Sequence, residues 1–204
     1  MDITQNGFWG NVVIHREQSE PEPPRVFQPR RFPALSWAST DALFGFPNND
    51  QLRELAGRMD KLHKNKAETV SNRSDIRAVG LAGERHVARY LGIPMDTRLK
   101  PGGSQRTNLR LGNVTIDVVT RTMPRNGAEP DIIVKTTAKP KPHLLALVIW
   151  HGWEYEPQLA GWVWEAELRS RGIVTEYVPG FRNYALPASE LVSLETALTV
   201  RPIT

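Results

Sequence analysis

The sequence contains no cysteine and no long hydrophobic run. Without cysteine, a disulfide framework, thiol catalysis and cysteine-ligated zinc or iron–sulfur centres are excluded. The longest uninterrupted apolar run is Leu144–Trp150, whereas a membrane-spanning helix needs about 20 residues. No charged stretch followed by an apolar one opens the chain, so no secretory signal is expected. These absences predict a cytoplasmic or virion-associated protein without membrane contact.

Common catalytic motifs are also missing. The sequence has neither a Gly-x-x-x-x-Gly-Lys phosphate loop nor a Gly-x-Ser-x-Gly nucleophile elbow. The histidines stand far apart and lack metal-ligand spacing: His15, His63, His86, His143 and His151. The chemistry that remains is that of carboxylates near basic residues.

The net charge of +4 is distributed unevenly along the chain. Residues 1–70 are balanced, residues 71–142 carry 13 basic and six acidic groups, and residues 143–204 carry four basic and seven acidic groups. A basic segment suits a polyanion, because neutralised phosphates release counterions. It is equally compatible with an ordinary solvated face, so charge alone leaves both interpretations open.

The first 40 residues are predicted to form an extended, proline-rich arm. Residues 16–35 contain five prolines, which prevent a regular element of more than a few residues. Residues 8–14 favour a short strand. The arm is either disordered or ordered against a protein partner through its apolar residues, which are Phe8, Trp9, Val26, Phe27 and Phe32.

The rest of the chain divides into a helical lead-in over 41–70 and a core over 71–204. Helical spacing of apolar residues predicts helices over 51–62 and about 74–91, the second stopped by Gly92 and Pro94. Its buried stripe is expected to comprise Ile76, Val79, Gly83, Val87 and Leu91. Short strands are predicted at 114–119, 131–135, 144–150 and 159–164, followed by a helix or turn at 187–194. The expected class is α+β, with helices flanking one central mixed β-sheet.

Two carboxylates and an aromatic cluster are the candidates for function. Glu84 lies at the edge of the buried stripe of its helix, and Asp117 interrupts an apolar strand. A buried carboxylate is costly unless it ligates something or faces a polar cavity, although Asp117 could equally face solvent. The aromatic residues suit either base stacking or packing and subunit contact, and packing is favoured: Trp150, Trp153, Tyr155, Trp162 and Trp164.

The order of several segments resembles the PD-(D/E)XK nuclease superfamily, in particular its small phage-type members. The resemblance covers about residues 70–195. It is carried by a "GE-x-x-VA-x-YLG" helix, a "G-x-x-IDVKT" strand, a "YVLV" strand, an "x-x-GW" strand and a closing "NY-x-(I/L)P-x-SEL" segment. Their counterparts here are Arg77–Ile93, Gly112–Arg121, Leu144–Trp150, Leu159–Trp162 and Asn183–Leu191.

The resemblance implies a restriction-endonuclease-like core and a site for a divalent metal such as Mg²⁺. In such nucleases a helix Glu, a strand-start Asp and the acid of (D/E)-x-K hold the metal, which polarises the phosphate and activates water. Glu84 matches the helix acid and Asp117 the acid of (D/E)-x-K. Asn108 occupies the place of the other Asp, and Val119 that of the Lys. The implied metal ligands are therefore Glu84, Asp117 and Asn108.

Two alternatives restore a catalytic cation. In the first, the motif is aligned in a shifted register, so that Asp117 is the strand-start Asp, Lys135 is the catalytic Lys, and Ile133 stands where the second acid belongs. In the second, the side chain of Lys135 or Arg121 extends into the site from a neighbouring position. The implied catalytic set is Glu84, Asp117 and Lys135. Phosphate contacts are expected from six basic residues, which are Arg77, Arg85, Arg89, Arg106, Arg110 and Arg121. The first three lie on one side of the helix, at the lip of a cleft.

Three functional hypotheses follow. The first is a DNA-associated protein with this fold and a weakened or lost metal site, acting in a larger, viral assembly. The second is an active Mg²⁺-dependent DNA endonuclease or exonuclease. The third is a structural component of a virion or complex, which would use no Mg²⁺.

Overall fold

The computed structural model describes residues 44–62, 73–97, 109–123, 127–137 and 143–199. The predicted arm over residues 1–40 lies outside these ranges, as do Asn108 and Arg106. Within them the chain forms an α+β fold in which a mixed β-sheet is flanked by helices. The predicted class is confirmed at this level.

Helix α1 spans Asn49–Leu62 and begins at a reciprocal cap. The backbone N–H of Gln51 donates to Oδ1 of Asn48 at 2.9 Å, and the backbone N–H of Asn48 donates to Oε1 of Gln51 at 2.8 Å. This capping box satisfies donors that a helix start leaves unpaired. The apolar spacing that predicted the helix places Leu52, Leu55 and Met59 in the core.

Helix α2 spans Arg73–Leu91 and ends where the sequence predicts. Gly92 adopts a φ of 61°, its N–H donates to the carbonyl of Arg89, and the N–H of Ile93 donates to that of Ala88. These two hydrogen bonds form a Schellman cap, which needs a residue with positive φ and therefore favours glycine.

The predicted buried stripe of α2 is wrong at Ile76, which is 64% exposed. The helix is buried on two sides rather than one. Ala78, Leu81 and Ala82 pack against α1, while Val87 and Ala88 pack against the sheet. A single stripe at helical spacing therefore describes only part of its buried surface.

Four strands form the mixed sheet. In spatial order they are β1 (Leu109–Leu111), β2 (Val114–Thr122), β4 (His143–Trp150) and β5 (Gln158–Trp164). Strands β2 and β4 are parallel, and the other two pairs are antiparallel. All eight residues of β4 are buried, which confirms the central strand predicted from a run that is apolar on both faces.

A second sheet corrects the expectation of a single one. Strands β3 (Asp131–Lys135), β7 (Phe181–Pro187) and β6 (Ile173–Val178) form an antiparallel sheet in the order β3-β7-β6. Helix α3 (Glu165–Arg171) joins β5 to β6. The predicted terminal helix or turn is resolved into a 3₁₀ turn (Ala188–Glu190) and helix α4 (Leu194–Thr199).

The two faces of the mixed sheet are covered by different layers. Ile116, Leu144 and Trp162 point to the side of α2 and pack with Val87 and Ala88 of that helix. The alternate residues Leu145, Leu147 and Val163 point the other way and pack with Ile132 and Leu186 of the second sheet. Since successive side chains of a strand alternate between faces, neighbouring residues of β2 belong to different layers.

The predicted packing role of the tryptophans is confirmed for Trp150, Trp162 and Trp164, all of which are buried. Nε1 of Trp164 donates to the backbone carbonyl of Ala197 at 2.7 Å, which attaches α4 to the sheet. Burial of these rings leaves no free π-face on them for base stacking.

Helix α2 approaches β2 most closely at Gly83. A Cβ placed on Gly83 would lie 2.0 Å from Oγ1 and 3.1 Å from Cβ of Thr120. The helix can therefore rest on the sheet at this height only because residue 83 has no side chain. Gly80, one turn earlier in α2, has no atom within 4 Å of such a Cβ.

We expect Gly83→Ala to lower the free energy of unfolding by about 1–3 kcal/mol, because the added methyl overpacks the contact between α2 and Thr120. Gly80→Ala is the matched control and should be neutral or stabilising by up to about 1 kcal/mol, since alanine is the better helix former. Urea unfolding followed by circular dichroism measures both. Equal stability of the two variants would contradict the packing described.

Candidate functional site

Asp117 lies on the face of β2 that points away from α2. Its Oδ1 is 3.6 Å from Nδ1 of His143, the first residue of the neighbouring strand β4. The Asp117 side chain is 17% exposed and that of His143 is 9% exposed. The two groups are thus close in a mostly buried setting, although 3.6 Å exceeds a normal hydrogen bond.

The register of the sheet places an exposed arginine beside this pair. Thr115 is paired with Arg110 on one side and with His143 on the other, so these three side chains share a face with Asp117, two residues further along β2. Arg110 is exposed to solvent. We call the group of Arg110, Asp117 and His143 the polar end of the sheet.

The polar end can bind an anion and orient an imidazole. The Asp117 carboxylate faces Nδ1 of His143, an arrangement that orients an imidazole through one ring nitrogen. The Arg110 guanidinium offers the planar, permanently charged donor set that matches phosphate. Sequence reasoning selected Asp117 and Arg110 but missed His143, because its spacing from Asp117 became meaningful only with the pairing of β2 and β4.

Glu84 and Asp117 are carried by elements on different sides of the mixed sheet. It follows Gly83 on α2, and this helix packs on the face of the sheet to which Ile116 and Thr120 belong. Asp117 is on the opposite face, beside His143. Helix α2, which carries Glu84, and the Asp117 side chain therefore lie on opposite sides of the sheet, whereas the resemblance would place both carboxylates on one metal ion.

Val119 and Lys135, the two positions considered for the nuclease Lys, have different surroundings. Val119 packs into the apolar layer between the two sheets, so the position of the nuclease Lys is a core position. Lys135 lies at the exposed end of β3, with Nζ 5.7 Å from the centre of the Phe181 ring. Arg121 donates from Nε to the backbone carbonyl of Asp131 at 3.3 Å, which connects β2 to β3.

The described side chains do not fit a magnesium site of the nuclease type. Mg²⁺ takes oxygen ligands at short, nearly octahedral distances, and Glu84 and Asp117 occupy opposite faces of the sheet. Among the residues that the structure describes, no group of three or more His, Asp or Glu side chains could hold a metal ion. Asn108, the third implied ligand, lies outside the described residues.

The prediction that Arg85 and Arg89 lie exposed at the lip of a cleft is wrong. Arg85 is only 5% exposed and donates to the carbonyl of Pro47 at 2.9 Å and to Oδ1 of Asn49 at 2.8 Å. Arg89 is 7% exposed and lies 3.6 Å from Oε1 of Glu156. Arg85 therefore connects α2 to the segment at the start of α1, and Arg89 connects α2 to the loop after β4.

Arg77, the third arginine of this set, also has a partner within the fold. Its Nε donates to Oδ1 of Asp60 at 2.9 Å, which joins α2 to α1. Of the basic residues expected to contact phosphate, Arg110 alone is exposed within the described part of the chain. Arg106 lies outside that part.

Glu156 is a structural carboxylate that the sequence did not reveal. Its Oε2 lies 3.9 Å from Nδ1 of His86, and its Oε1 lies close to Arg89. The pKa of Glu156 is held below its ordinary value of 4.5, first by His86 and then by Arg89 and Arg85, and partial burial opposes this lowering. The only sequence signal was the run of ionisable residues 84–86 between Gly83 and Val87, two members of the expected buried stripe.

Comparisons of the chain with protein-family models, with curated proteins and with solved structures found no match. Among the described residues, no helix has both the length and the apolar character needed to span a membrane.

The lowered pKa of Glu156 predicts an acid-sensitive attachment of the loop after β4. A carboxylate whose pKa is lowered in the folded state contributes its full stabilisation when the pH is above its unfolded-state pKa of 4.5. That stabilisation is lost as the pH falls through the folded-state pKa. We expect Glu156→Gln to lower the unfolding temperature at neutral pH and to reduce the further loss on acidification below 4.5.

Glu154→Gln is the control, because Glu154 is an exposed carboxylate of the same loop. It should keep the pH dependence of the wild type in thermal unfolding scans. An identical pH dependence in Glu156→Gln and the wild type would refute the role given to Glu156.

Proposed function

We propose that the chain is a DNA-associated protein built on a restriction-endonuclease-like core whose metal site is weakened or lost, and that it acts within a larger assembly. The support comes from the order of segments shared with PD-(D/E)XK nucleases, from the basic excess of residues 71–142 and from the geometry of the polar end.

The observation that carries this proposal is the place where two basic segments of the chain join the mixed sheet. Residues 98–108 and 138–142 carry five basic and no acidic residues. The described residues that follow them, Leu109 and His143, are paired with the adjacent β2 residues Ile116 and Thr115, and the exposed Arg110 is paired with Thr115 as well. Basic segments that join the sheet beside an exposed arginine suit a phosphate backbone, which is bound largely through charge.

The positions of the acids favour binding over hydrolysis. Glu84 and Asp117 lie on opposite faces of the sheet, and the i+2 position after Asp117 is the core residue Val119. Metal-assisted hydrolysis needs carboxylates and a cation around one phosphate. Asp117 instead faces His143 beside Arg110, where it would limit how closely phosphate approaches.

We expect the full-length chain to bind duplex DNA without sequence preference and with an affinity that falls steeply with salt. Arg110→Ala should weaken binding to all sequences alike and reduce the slope of log K against log salt by about 0.9, the value for one phosphate contact. Fluorescence anisotropy titrations at several salt concentrations measure both quantities.

Arg58→Ala is the matched control. Arg58 is exposed on α1, and α1 packs around Trp150, at the far end of β4 from His143. Its removal takes away the same charge and should leave the salt slope unchanged. No DNA affinity at about 50 mM salt would overturn the proposal and leave the structural-component hypothesis. Mg²⁺-dependent cleavage of plasmid DNA, abolished by Asp117→Asn, would replace it with an active nuclease.

A further inference from the structure

The loop after β4, residues 151–157, presents an aromatic ring to solvent. Tyr155 is 63% exposed, whereas the three tryptophans of β4 and β5 are buried. Packing therefore accounts for those tryptophans but not for Tyr155. Tyrosine is enriched at interfaces, because it brings a large apolar surface and a polar end at a small cost in side-chain entropy.

The loop is held in one arrangement by the residues around it. Trp153 lies edge-on to Trp150 with ring centres 4.7 Å apart, and Cζ of Arg53 is 4.3 Å from the centre of the Trp153 ring. The backbone N–H of Tyr155 donates to the carbonyl of Gly152 at 3.3 Å, which closes a turn. A surface that is already ordered loses little conformational freedom when a second segment binds to it.

The loop is also acidic. Residues 151–157 contain two glutamates and neither lysine nor arginine. Glu154 and Glu156, the residues on either side of Tyr155, are both exposed, although Glu156 also lies close to Arg89. An exposed tyrosine flanked by carboxylates suits a segment that combines arginine with proline, since a guanidinium binds both aromatic rings and carboxylates and proline-rich segments bind to aromatic surfaces.

Residues 23–33 of the same chain have this composition. They contain four prolines and three arginines, which are Arg25, Arg30 and Arg31, and no acidic residue. A proline-rich sequence favours the polyproline II conformation, so it loses little entropy on binding. Its positive charge complements the negative charge of the loop.

The described part of the chain begins beside this loop. Residues 44–49 lead into α1, and Nδ2 of Asn49 donates to the carbonyl of Trp153 at 3.2 Å. The intervening residues 34–43 can extend over about 35 Å. Residues 23–33 can therefore reach the loop, and their covalent connection gives them a high effective concentration there.

We propose that residues 23–33 bind to the loop after β4 of their own chain, with prolines against Tyr155 and arginines beside Glu154 and Glu156. The loop is the docking site for the proline-rich arm, which then folds back on the core. This contact does not involve the polar end of the sheet and does not depend on DNA.

Paramagnetic broadening in the nuclear magnetic resonance spectrum of the full-length chain tests the contact. The chain has no cysteine, so Gln28→Cys provides a single site for a nitroxide label within the segment. The label should broaden the amide signals of residues 153–156 and not those of residues 173–175 in β6. Tyr155→Ser should abolish this selective broadening. Phe181→Ser removes a ring that is 56% exposed on β7 and, as the matched control, should preserve it.

A variant of the arm separates loss of binding from any change in the loop. Arg30→Glu combined with Arg31→Glu leaves the loop sequence intact and should also abolish the broadening, because like charges then face each other. Absence of selective broadening with the parent label, or the same broadening in Tyr155→Ser and Phe181→Ser, would overturn the proposal.

Mixed samples identify the chain that supplies the segment. The nitroxide is placed on a chain without isotopic label, and this chain is mixed with an isotopically labelled wild type. Binding within one chain predicts no broadening of the wild-type signals. Selective broadening of residues 153–156 in the mixture would assign the segment to a second copy and overturn the proposal.

Proteolysis provides a second readout without a label. Trypsin cleaves after Arg25, Arg30 and Arg31, and cleavage of a protected segment follows the population of its open form. Tyr155→Ser should raise the rate of cleavage at these sites at least about fivefold, as expected for truncation of an aromatic anchor, and Phe181→Ser should not. Equal rates in Tyr155→Ser and the wild type, followed by mass spectrometry of the fragments, would contradict the proposal.

Discussion

The alternation of side chains along β2 decides what each residue of that strand can contribute. Both faces of the mixed sheet are covered, one by α2 and the other by the second sheet. Ile116 and Thr120 therefore face the helix, whereas Asp117 and Val119 face the other layer. A carboxylate on α2 and a carboxylate on the odd positions of β2 therefore belong to opposite sides of the sheet, and a change of register that turned Asp117 toward the helix would move every apolar residue of the strand to the wrong layer.

Close packing around α2 explains why two of its arginines are buried. The helix lies close to the sheet at Gly83 and is packed by α1 on another side, so Arg85 and Arg89 have little access to solvent. Buried guanidinium groups must be hydrogen-bonded or paired with a charge, and Pro47, Asn49 and Glu156 provide such partners. Arg85 and Arg89, which the sequence suggested for phosphate contacts, therefore stabilise contacts within the fold.

Features set by local spacing could be predicted from the sequence. The repeat of Leu52, Leu55 and Met59, the glycine at 92 and the two-sided apolar run of β4 each depend on residues within one element. The burial of Arg85 could not be predicted, because its partners are 36 and 38 residues away along the chain. The candidate site was only half predicted: Asp117 was selected by its apolar neighbours, but His143 joined it through strand pairing.

The central claim is that Glu84 and Asp117 do not share a metal ion. Isothermal titration calorimetry of Mn²⁺ into the full-length wild type, Glu84→Gln and Asp117→Asn, without DNA, tests it directly. We predict no tight binding to the wild type and no difference between the two variants, since Mg²⁺-type sites rely on several oxygens converging on one ion. Tight, equimolar binding to the wild type that both substitutions abolish would contradict the account.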